Sequence, residues 1–244
     1  MSPDFPIGDP LVLSGFIESV HKPKNSFFRF SNYLNLIKQE FVSARFLAAI
    51  SFYRKGFDFV DHKVTLVDTL DYPAFNVYIE QAKNAFRVCY SILDKLAMLV
   101  NEYLGLGLRK DKVSFRSISN LAEKNILKDH YPFKNKYLAA LVDLSNDFEN
   151  GHFREFRRIR RILEHRFYSI KHEVGSGEIL DDQVVLTPNH FRERLIELLK
   201  IVRSAIFYGA LMINEGEQQQ LEKLSGVPIV PIQSTNIPDD LKKE

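Results

Sequence analysis

The sequence predicts an all-α fold, a bundle of antiparallel helices with irregular arms. Long stretches repeat their apolar residues at spacings of three and four, which is the period of one helical face. The stretch that alternates and favours β-branched residues, 56–73, has no partner strand of similar quality. No repeat with a period of about 30 to 40 residues is visible, so a helical solenoid is not expected.

Length and composition are those of an ordinary soluble protein. The chain has 244 residues, 45% of them hydrophobic, and can bury one large core. Its net charge is +2, so attraction to nucleic acid must come from a local patch. The single cysteine, Cys89, excludes an intramolecular disulfide and fits a reducing compartment. The N-terminus lacks the pattern of a secretion signal, and the longest apolar stretch, 201–213, contains Arg203 and is too short to span a membrane. A cytoplasmic protein is expected.

The first half predicts an arm and two long helices. Residues 1–30 carry four prolines and little periodicity, so they are expected to form an extended arm. Ser31 is a candidate N-cap for the first helix. An irregular connector follows over 56–73, with room for a short strand. After Pro73 the chain runs without a breaker to Gly105, which predicts the longest helix of this half.

The middle of the chain predicts a loop and two shorter helices. Residues 105–120 contain two glycines and a basic turn, but they lack the Gly-Lys-Ser/Thr ending of a phosphate-binding loop. A helical piece is expected through Leu127, and an amphipathic helix over 135–149. The break at Asn150-Gly151 is short, so this helix and the next are expected to be antiparallel neighbours.

The last long helix is predicted to start at Thr187-Pro188, an N-cap followed by a proline at the first helical position. A turn-rich segment with one candidate strand, 184–186, precedes it. Gly209 and Gly216 are candidate positions for a bend. The helical domain is therefore expected over 31–224, with its bundle core at about 74–215 and a tail at 225–244.

The arginine helix, Phe153 to His172, is the segment expected to carry function. It holds six Arg and one Lys against two Glu, although the whole chain is nearly neutral. At about 3.6 residues per turn its apolar residues form one stripe that must face a core. The stripe consists of Phe156, Ile159, Leu163, Phe167 and Ile170.

The opposite side of the arginine helix forms what we call the cationic edge. Its members recur at spacings of three and four and suit solvent, phosphate or a second subunit. They are Arg154, Arg158, Arg161, His165, Tyr168 and His172. Arg160 and Glu164 can form an ion pair one turn apart. The spacing of His165 and His172 matches no standard metal-ligand pattern, so neither a metal nor a cofactor is expected.

Two acidic residues lie in the apolar helix that ends near Gly105. Asp94 and Glu102 each need a partner there, because a buried charge is costly when it is unpaired. A salt bridge to a lysine or arginine at the edge of the core would be purely structural. Alternatively, one of the two orients a catalytic arginine or histidine.

The run RRILEHRF, residues 160–167, resembles the Arg, four to six residues, His signature of the HEPN superfamily. Members of that superfamily are small helical bundles and often ribonucleases. Residues 32–45 and 85–108, with VSFRSI at 113–118, are similar to a HEPN subfamily often attached to tetratricopeptide repeats. The resemblance covers about residues 30 to 215. It implies a HEPN-like bundle with an N-terminal helical extension.

The resemblance implies catalytic roles for Arg160 and His165, which have four residues between them. Arg158, with six residues between, also fits the signature. Many members have a small polar residue after the arginine, where this chain has Arg161. In one group a modified tyrosine lies two residues past the histidine, but that position is Phe167 here, so this mode of control is not expected.

RNA cleavage without metal requires proton transfer and positive charge on the phosphate. Histidine suits the first task and the arginine fork suits the second. Five residues turn an ideal helix through about 140° beyond a full turn, so Arg160 and His165 do not project side by side. HEPN proteins, as the resemblance implies, usually complete the site across a two-fold interface, and a homodimer through the arginine helix is expected.

The expected function is thus a metal-independent endoribonuclease related to toxins or defence. Arg158, Arg161, Glu164, Tyr168, His172 and Asp94 are the supporting or RNA-binding candidates. RNA is the expected partner, with a repeat protein or an antitoxin as a further one and no membrane. Two alternatives remain: a non-catalytic module that binds RNA or a nucleotide or simply dimerises, and a scaffold whose basic helix contacts an acidic protein.

Overall fold

The computed structural model describes residues 29–54, 56–65, 67, 75–123, 135–151, 153–165 and 187–223. Over these ranges the chain forms six α-helices and no strand, which confirms the all-α prediction. The helices are α1 (Arg29–Tyr53), α2 (Val77–Tyr103), α3 (Phe115–Glu123), α4 (Lys136–Glu149), α5 (Arg154–His165) and α6 (Pro188–Lys223). Two short 3-10 helices, Asp58–Lys63 and Lys110–Lys112, lie in the connections.

The central helix is α2, which contacts α1, α3, α5 and α6. Its residues Ile92, Leu93 and Leu96 are fully buried. Contact with helices on several sides explains why so much of α2 is apolar, and its partly exposed polar residues, such as Arg87 and Asp94, form a narrow stripe. The Asn76 side chain caps its start by accepting a hydrogen bond from the Ile79 N–H at 3.0 Å.

An aromatic cluster joins α2, α4, α5 and α6. Phe86 of α2 lies 6.2 Å from Phe156 and 5.7 Å from Phe191, measured between ring centroids. Phe148 of α4 lies 5.8 Å from Phe156. These tilted pairs bury large apolar areas and fix the relative positions of the helices. The cluster therefore holds α5 against the bundle by its apolar side.

The two glycines within α6 allow close approach of α2. A Cβ atom at Gly209 would lie 2.9 Å from a methyl carbon of Leu96, and one at Gly216 would lie 2.1 Å from the Tyr103 hydroxyl. A single helix, α6, runs through both positions. Their role in the structure is thus helix contact, which the sequence interpretation of a bend did not foresee.

The predicted N-cap of α1 at Ser31 is wrong, because Arg29 and Phe30 already belong to the helix. Phe30 is buried and meets the Tyr103 ring edge-on, with 5.5 Å between ring centroids. Packing of this ring against α2 extends the helix past the local capping signal. The connector after α1 forms the 3-10 helix Asp58–Lys63 and contains no strand within its described residues.

The loop predicted over 105–120 ends earlier than expected, because α3 begins at Phe115. The Phe115 N–H donates to the Asp94 carboxylate of α2 at 2.9 Å. A side chain from another helix thus satisfies a backbone group at the start of α3. Local sequence carries no sign of such a cap.

Several sequence predictions lie outside the described residues. They concern the N-terminal arm through residue 28, the tail from 224, the candidate strand at 184–186 and the second half of the arginine helix, including Phe167, Tyr168, Ile170 and His172.

Candidate functional site

The first half of the arginine helix, α5, is amphipathic as its sequence predicts. Phe156 and Ile159 are each 1% exposed and Leu163 is 7% exposed. The three side chains are the described part of the predicted stripe and face the bundle. The arginines on the opposite side are consequently directed toward solvent.

The described part of the cationic edge consists of three exposed arginines, Arg154, Arg158 and Arg161. None of them forms an ion pair within the described part of the chain. They line an open concavity of about 780 Å³ on the surface of α5. Its other described lining residues are Glu155, Arg157, Arg160 and Glu164. Five guanidinium groups against two carboxylates make this surface strongly positive.

Arg160 is turned away from the cationic edge and is held on three sides. Its Nε donates to Glu164 Oε1 at 3.0 Å, which confirms the ion pair expected from sequence. Its Nη1 lies 3.1 Å from Asp94 Oδ2 on α2, and its guanidinium carbon lies 5.0 Å from the centre of the Tyr90 ring. These contacts fix the guanidinium plane while the side chain remains 33% exposed.

Arg160 keeps its positive charge in this environment. Partial burial disfavours the charged form, but the hydrogen bond that Arg160 donates to Glu164 and the charge of Asp94 together raise the pKa of Arg160 above its usual value. Its Nη2 group makes no contact with another polar group of the described chain. The fixed guanidinium therefore retains N–H donors for an anion, in the fork geometry that suits a phosphate.

Asp94 joins three helices. One carboxylate oxygen accepts from the first N–H of α3, and the other faces Arg160 of α5. The sequence predicted that an acid in so apolar a helix requires a partner, and the structure shows an arginine as that partner. The structure thus shows the salt bridge to an arginine, and the role of Asp94 in orienting a catalytic residue stays a prediction.

Sequence reasoning missed Glu149, the last residue of α4. Its Oε2 lies 3.0 Å from both Arg116 of α3 and Arg157 of α5. A carboxylate shared by two arginines links three helices beside the candidate site. Nothing in the local sequence marks Glu149, since acidic residues are common on the exposed side of helices.

Arg87 of α2 is a second residue that the sequence did not single out. Its Nη2 donates to the Leu163 carbonyl at 2.9 Å, and its Nη1 donates to Asn84 at 2.9 Å. The Leu163 carbonyl lies near position 165, at the end of the described part of α5. Arg87 therefore joins this part of α5 to α2.

His165 is the last described residue of α5. It lies seven positions after Arg158, and this spacing returns nearly to the same side of an ideal helix, about 20° away. Arg160 instead lies about 140° away around the axis. By register, Arg158 and Arg161 thus share an edge with position 165, whereas Arg160 borders α2.

The described residues include no group of three His, Cys, Asp or Glu placed to hold a metal ion. Of the helices described, none is both long and apolar enough to cross a membrane.

A family model described as LA2681-like HEPN matches residues 22–216, well over half of the chain. Searches of curated proteins and of solved structures gave no match. The matched range includes all of the buried helix α2, the arginine helix α5 and the Asp94–Arg160 contact between them.

Proposed function

The chain belongs to the LA2681-like HEPN family, and from this membership we propose that it is a metal-independent endoribonuclease whose RNA-binding surface is α5. The resemblance of its motif to HEPN ribonucleases further favours a role in toxicity or defence. Such a protein acts in the cytoplasm, where a repeat protein or an antitoxin is a suitable partner.

In this proposal His165 transfers protons and Arg160 stabilises charge. The attack of a 2′-hydroxyl on the neighbouring phosphorus releases a proton, and the departing 5′-oxygen requires one. Histidine can perform both transfers near neutral pH because its ordinary pKa is about 6.5. Negative charge grows on the phosphate oxygens during attack, and a fixed guanidinium stabilises that charge.

The observation that carries the proposal is the restraint of Arg160. Three neighbours, Asp94, Glu164 and Tyr90, hold its guanidinium and leave Nη2 available beside the positive concavity. A purely structural ion pair does not require a partly exposed arginine with unused donors. Preorganised donors are what stabilisation of a developing phosphate charge requires.

The remaining candidates have supporting roles. Arg158 and Arg161 are exposed and unpaired within the described chain, so we assign them to the RNA backbone. Asp94 and Glu164 orient Arg160. Tyr168 and His172 continue the same edge in sequence, and they are proposed as further RNA contacts.

We further propose that two chains form a homodimer through the arginine helix. Arg160 and position 165 of one helix lie far apart around its axis. Two such helices facing each other across a two-fold axis would bring the arginine of one subunit toward the histidine of the other. The two concavities would then form one cleft.

The test is cleavage of a labelled RNA in the presence of EDTA. The wild-type protein should cleave, His165→Ala should not, and Arg160→Gln should be slower by about 100-fold. Arg203→Ala is the matched control, because Arg203 is an exposed arginine on α6. Cleavage that persists unchanged in His165→Ala would exclude the proposed mechanism.

A second candidate function is non-catalytic RNA or nucleotide binding by a dimerising module. The unpaired side chains of Arg154, Arg158 and Arg161 favour it, since they supply positive charge independently of His165. Salt-sensitive RNA binding without cleavage, retained in His165→Ala, would support this function. Absence of any RNA affinity would leave a scaffold that contacts an acidic protein.

A further inference from the structure

The helix α1 carries a second apolar stripe, on the side away from the bundle. We call this side the outer face of α1 and define it by Val42, Phe46 and Tyr53, which lie within about 40° of one another around an ideal helix. Phe46 is 63% exposed and Tyr53 is 79% exposed, while the other side of α1 contacts α2 and α6. A helix that is apolar on both sides is normally packed on both sides. The outer face is therefore suited to a further binding partner.

Exposed apolar side chains are concentrated in this part of the molecule. In the described part of the chain, every strongly exposed large apolar residue lies between positions 36 and 75, on α1 or in the connection that follows it. The other described helices expose none. Single exposed apolar residues are ordinary, but a concentration of them marks an interaction surface.

The charge on the outer face is positive. Arg45 borders the stripe on one side and Arg54 follows the last residue of α1, and neither forms an ion pair within the described ranges. The only acid of α1, Glu40, pairs with Lys95 of α2. The face thus offers apolar area flanked by guanidinium groups, which suits an apolar partner that carries carboxylates.

A second copy of the chain fits this face poorly. If α1 paired with α1 of another subunit, in either direction, Arg45 and Arg54 would meet basic residues of the copy, because the one acid of α1 is already paired. Like charges placed together across a contact weaken it. The charge of the outer face therefore favours an acidic partner.

The first residues of the chain have the complementary composition. Residues 4–20 contain three acids, Asp4, Asp9 and Glu18, and no lysine or arginine. Six of the ten residues in 11–20 are large and apolar. Both the charge and the apolar content of this segment match the outer face of α1.

The segment is long enough to reach this face. Along the axis of α1, Arg29 and Tyr53 are about 36 Å apart. About 11 extended residues span that distance. Because 28 residues precede α1, residues 4–20 can run along the whole outer face from the point where the helix begins.

We propose that residues 4–20 bind along the outer face of α1 in the same chain. Their apolar side chains lie against Val42, Phe46 and Tyr53, and their carboxylates face Arg45 and Arg54. The bound segment keeps other proteins from this face. The inference does not depend on the proposed ribonuclease activity, because neither α1 nor residues 4–20 belong to the α5 site.

Photo-cross-linking of the full chain tests the proposal. In Phe46→benzoylphenylalanine, irradiation should join position 46 to residues 4–20, as identified by digestion and mass spectrometry. Arg203→benzoylphenylalanine, at an exposed position of α6, is the matched control and should give no such cross-link. In a mixture of isotope-labelled and unlabelled chains, each cross-linked pair should be uniform in isotope, because both peptides come from one chain.

Thiol labelling measures the electrostatic part of the contact. Ser43→Cys places an exposed thiol beside the stripe, and the native Cys89 is buried and does not compete for the reagent. Asp9→Lys together with Glu18→Lys should accelerate modification of the new thiol about tenfold, since two ion pairs are replaced by repulsion.

Reversal of the charges on α1 provides the matching variant. Arg45→Glu together with Arg54→Glu, added to the reversed segment, should restore the slow rate of modification. Glu193→Lys and Glu222→Lys, which reverse two exposed acids of α6, should leave the rate as it was. Circular dichroism confirms that each variant folds.

Three results would overturn the proposal. They are cross-links from position 46 to a second copy, the absence of cross-links to residues 4–20, and a rate of thiol modification that does not respond to charge reversal. RNA cleavage by the same variants is measured separately, so either proposal can fail alone.

Discussion

At the scale of single residues, Asp94 shows how one side chain serves both the fold and the candidate site. It accepts a hydrogen bond from the first N–H of α3, and it faces the guanidinium of Arg160. The first role needs an oxygen acceptor, and the second needs a negative charge. These two requirements can be separated by substitution.

The Asp94→Asn and Asp94→Ala variants should therefore differ in stability but have similar rates of RNA cleavage. Asparagine retains an oxygen for the Phe115 N–H, whereas alanine leaves that group unsatisfied at a cost of about 1–3 kcal/mol. Both variants release Arg160, so RNA cleavage should slow in both while RNA affinity changes little. Urea unfolding and single-turnover cleavage measure the two effects.

Equal destabilisation of both variants would show that the charge of Asp94, and not its oxygen, supports the start of α3. Unchanged RNA cleavage in both variants would show that Asp94 does not position Arg160. Asp143→Asn is a suitable control, since this acid is exposed on α4 and removes the same charge.

At this scale the sequence predicted which types of residue form the candidate site, but only some of the ion pairs between them. The Arg160–Glu164 contact follows from helix pitch, because residues four apart are neighbours. The contacts of Glu149 with Arg116 and Arg157 join residues on three helices. No local pattern encodes such a contact.

At the scale of helices, α2 and α5 are joined by two polar contacts two turns apart on α2. Asp94 holds Arg160 in the middle of α5, and Arg87 holds the Leu163 carbonyl near the end of its described part. Both contacts add to the apolar stripe that packs against the bundle. The polar contacts therefore fix the rotation of α5 about its axis, which apolar packing alone specifies less strictly.

Arg87→Met should loosen residues 161–165 of α5 without unfolding the bundle. Methionine preserves much of the apolar length of the side chain but cannot donate to the Leu163 carbonyl. Amide hydrogen exchange of residues 161–165 should accelerate about tenfold, while global stability falls by about 1 kcal/mol. Hydrogen exchange with mass spectrometry provides the local measurement.

Arg45→Met is the matched control, because Arg45 is an exposed arginine on α1. It should leave exchange in α5 unchanged. If Arg87→Met also leaves that exchange unchanged, then apolar packing suffices to hold residues 161–165, and Arg87 does not position residue 165.

At the scale of the whole molecule, the bundle buries several ionisable groups in and beside α2. Burial raises the pKa of the Cys89 thiol to about 12. Burial also raises the pKa of Tyr90, although the positive charge of Arg160 acts in the opposite direction. The pKa of Tyr103 is raised by burial and further raised by Glu217. In the folded protein these groups stay neutral over the ordinary pH range.

These shifts predict a loss of stability at alkaline pH. In the unfolded chain the thiol ionises near pH ~8.5 and tyrosine near ~10. Above those values the folded state binds more protons than the unfolded state. The contribution of these neutral buried groups to the free energy of unfolding is therefore complete below pH ~8.5 and declines as the pH rises toward 12. The melting temperature should therefore fall steadily between pH ~8.5 and ~11, as followed by circular dichroism.

Cys89→Ala should reduce this decline between pH ~8.5 and ~10, where the thiol of the unfolded chain ionises first. A decline of the same steepness in Cys89→Ala would attribute it to other groups. A melting temperature that stays constant to pH ~11 would contradict the prediction altogether.

The sequence by itself determined the helical class, the apolar stripe of α5, the family and the local Arg160–Glu164 pair. Each of these depends on residues within a few helical turns or on a motif that is continuous along the chain. Only the tertiary structure decided that Asp94 faces Arg160, that Arg87 contacts the Leu163 carbonyl, and that Arg192 lies over the Phe52 ring. These contacts join residues on different helices, and their geometry is set by how the apolar faces pack, which local periodicity does not specify.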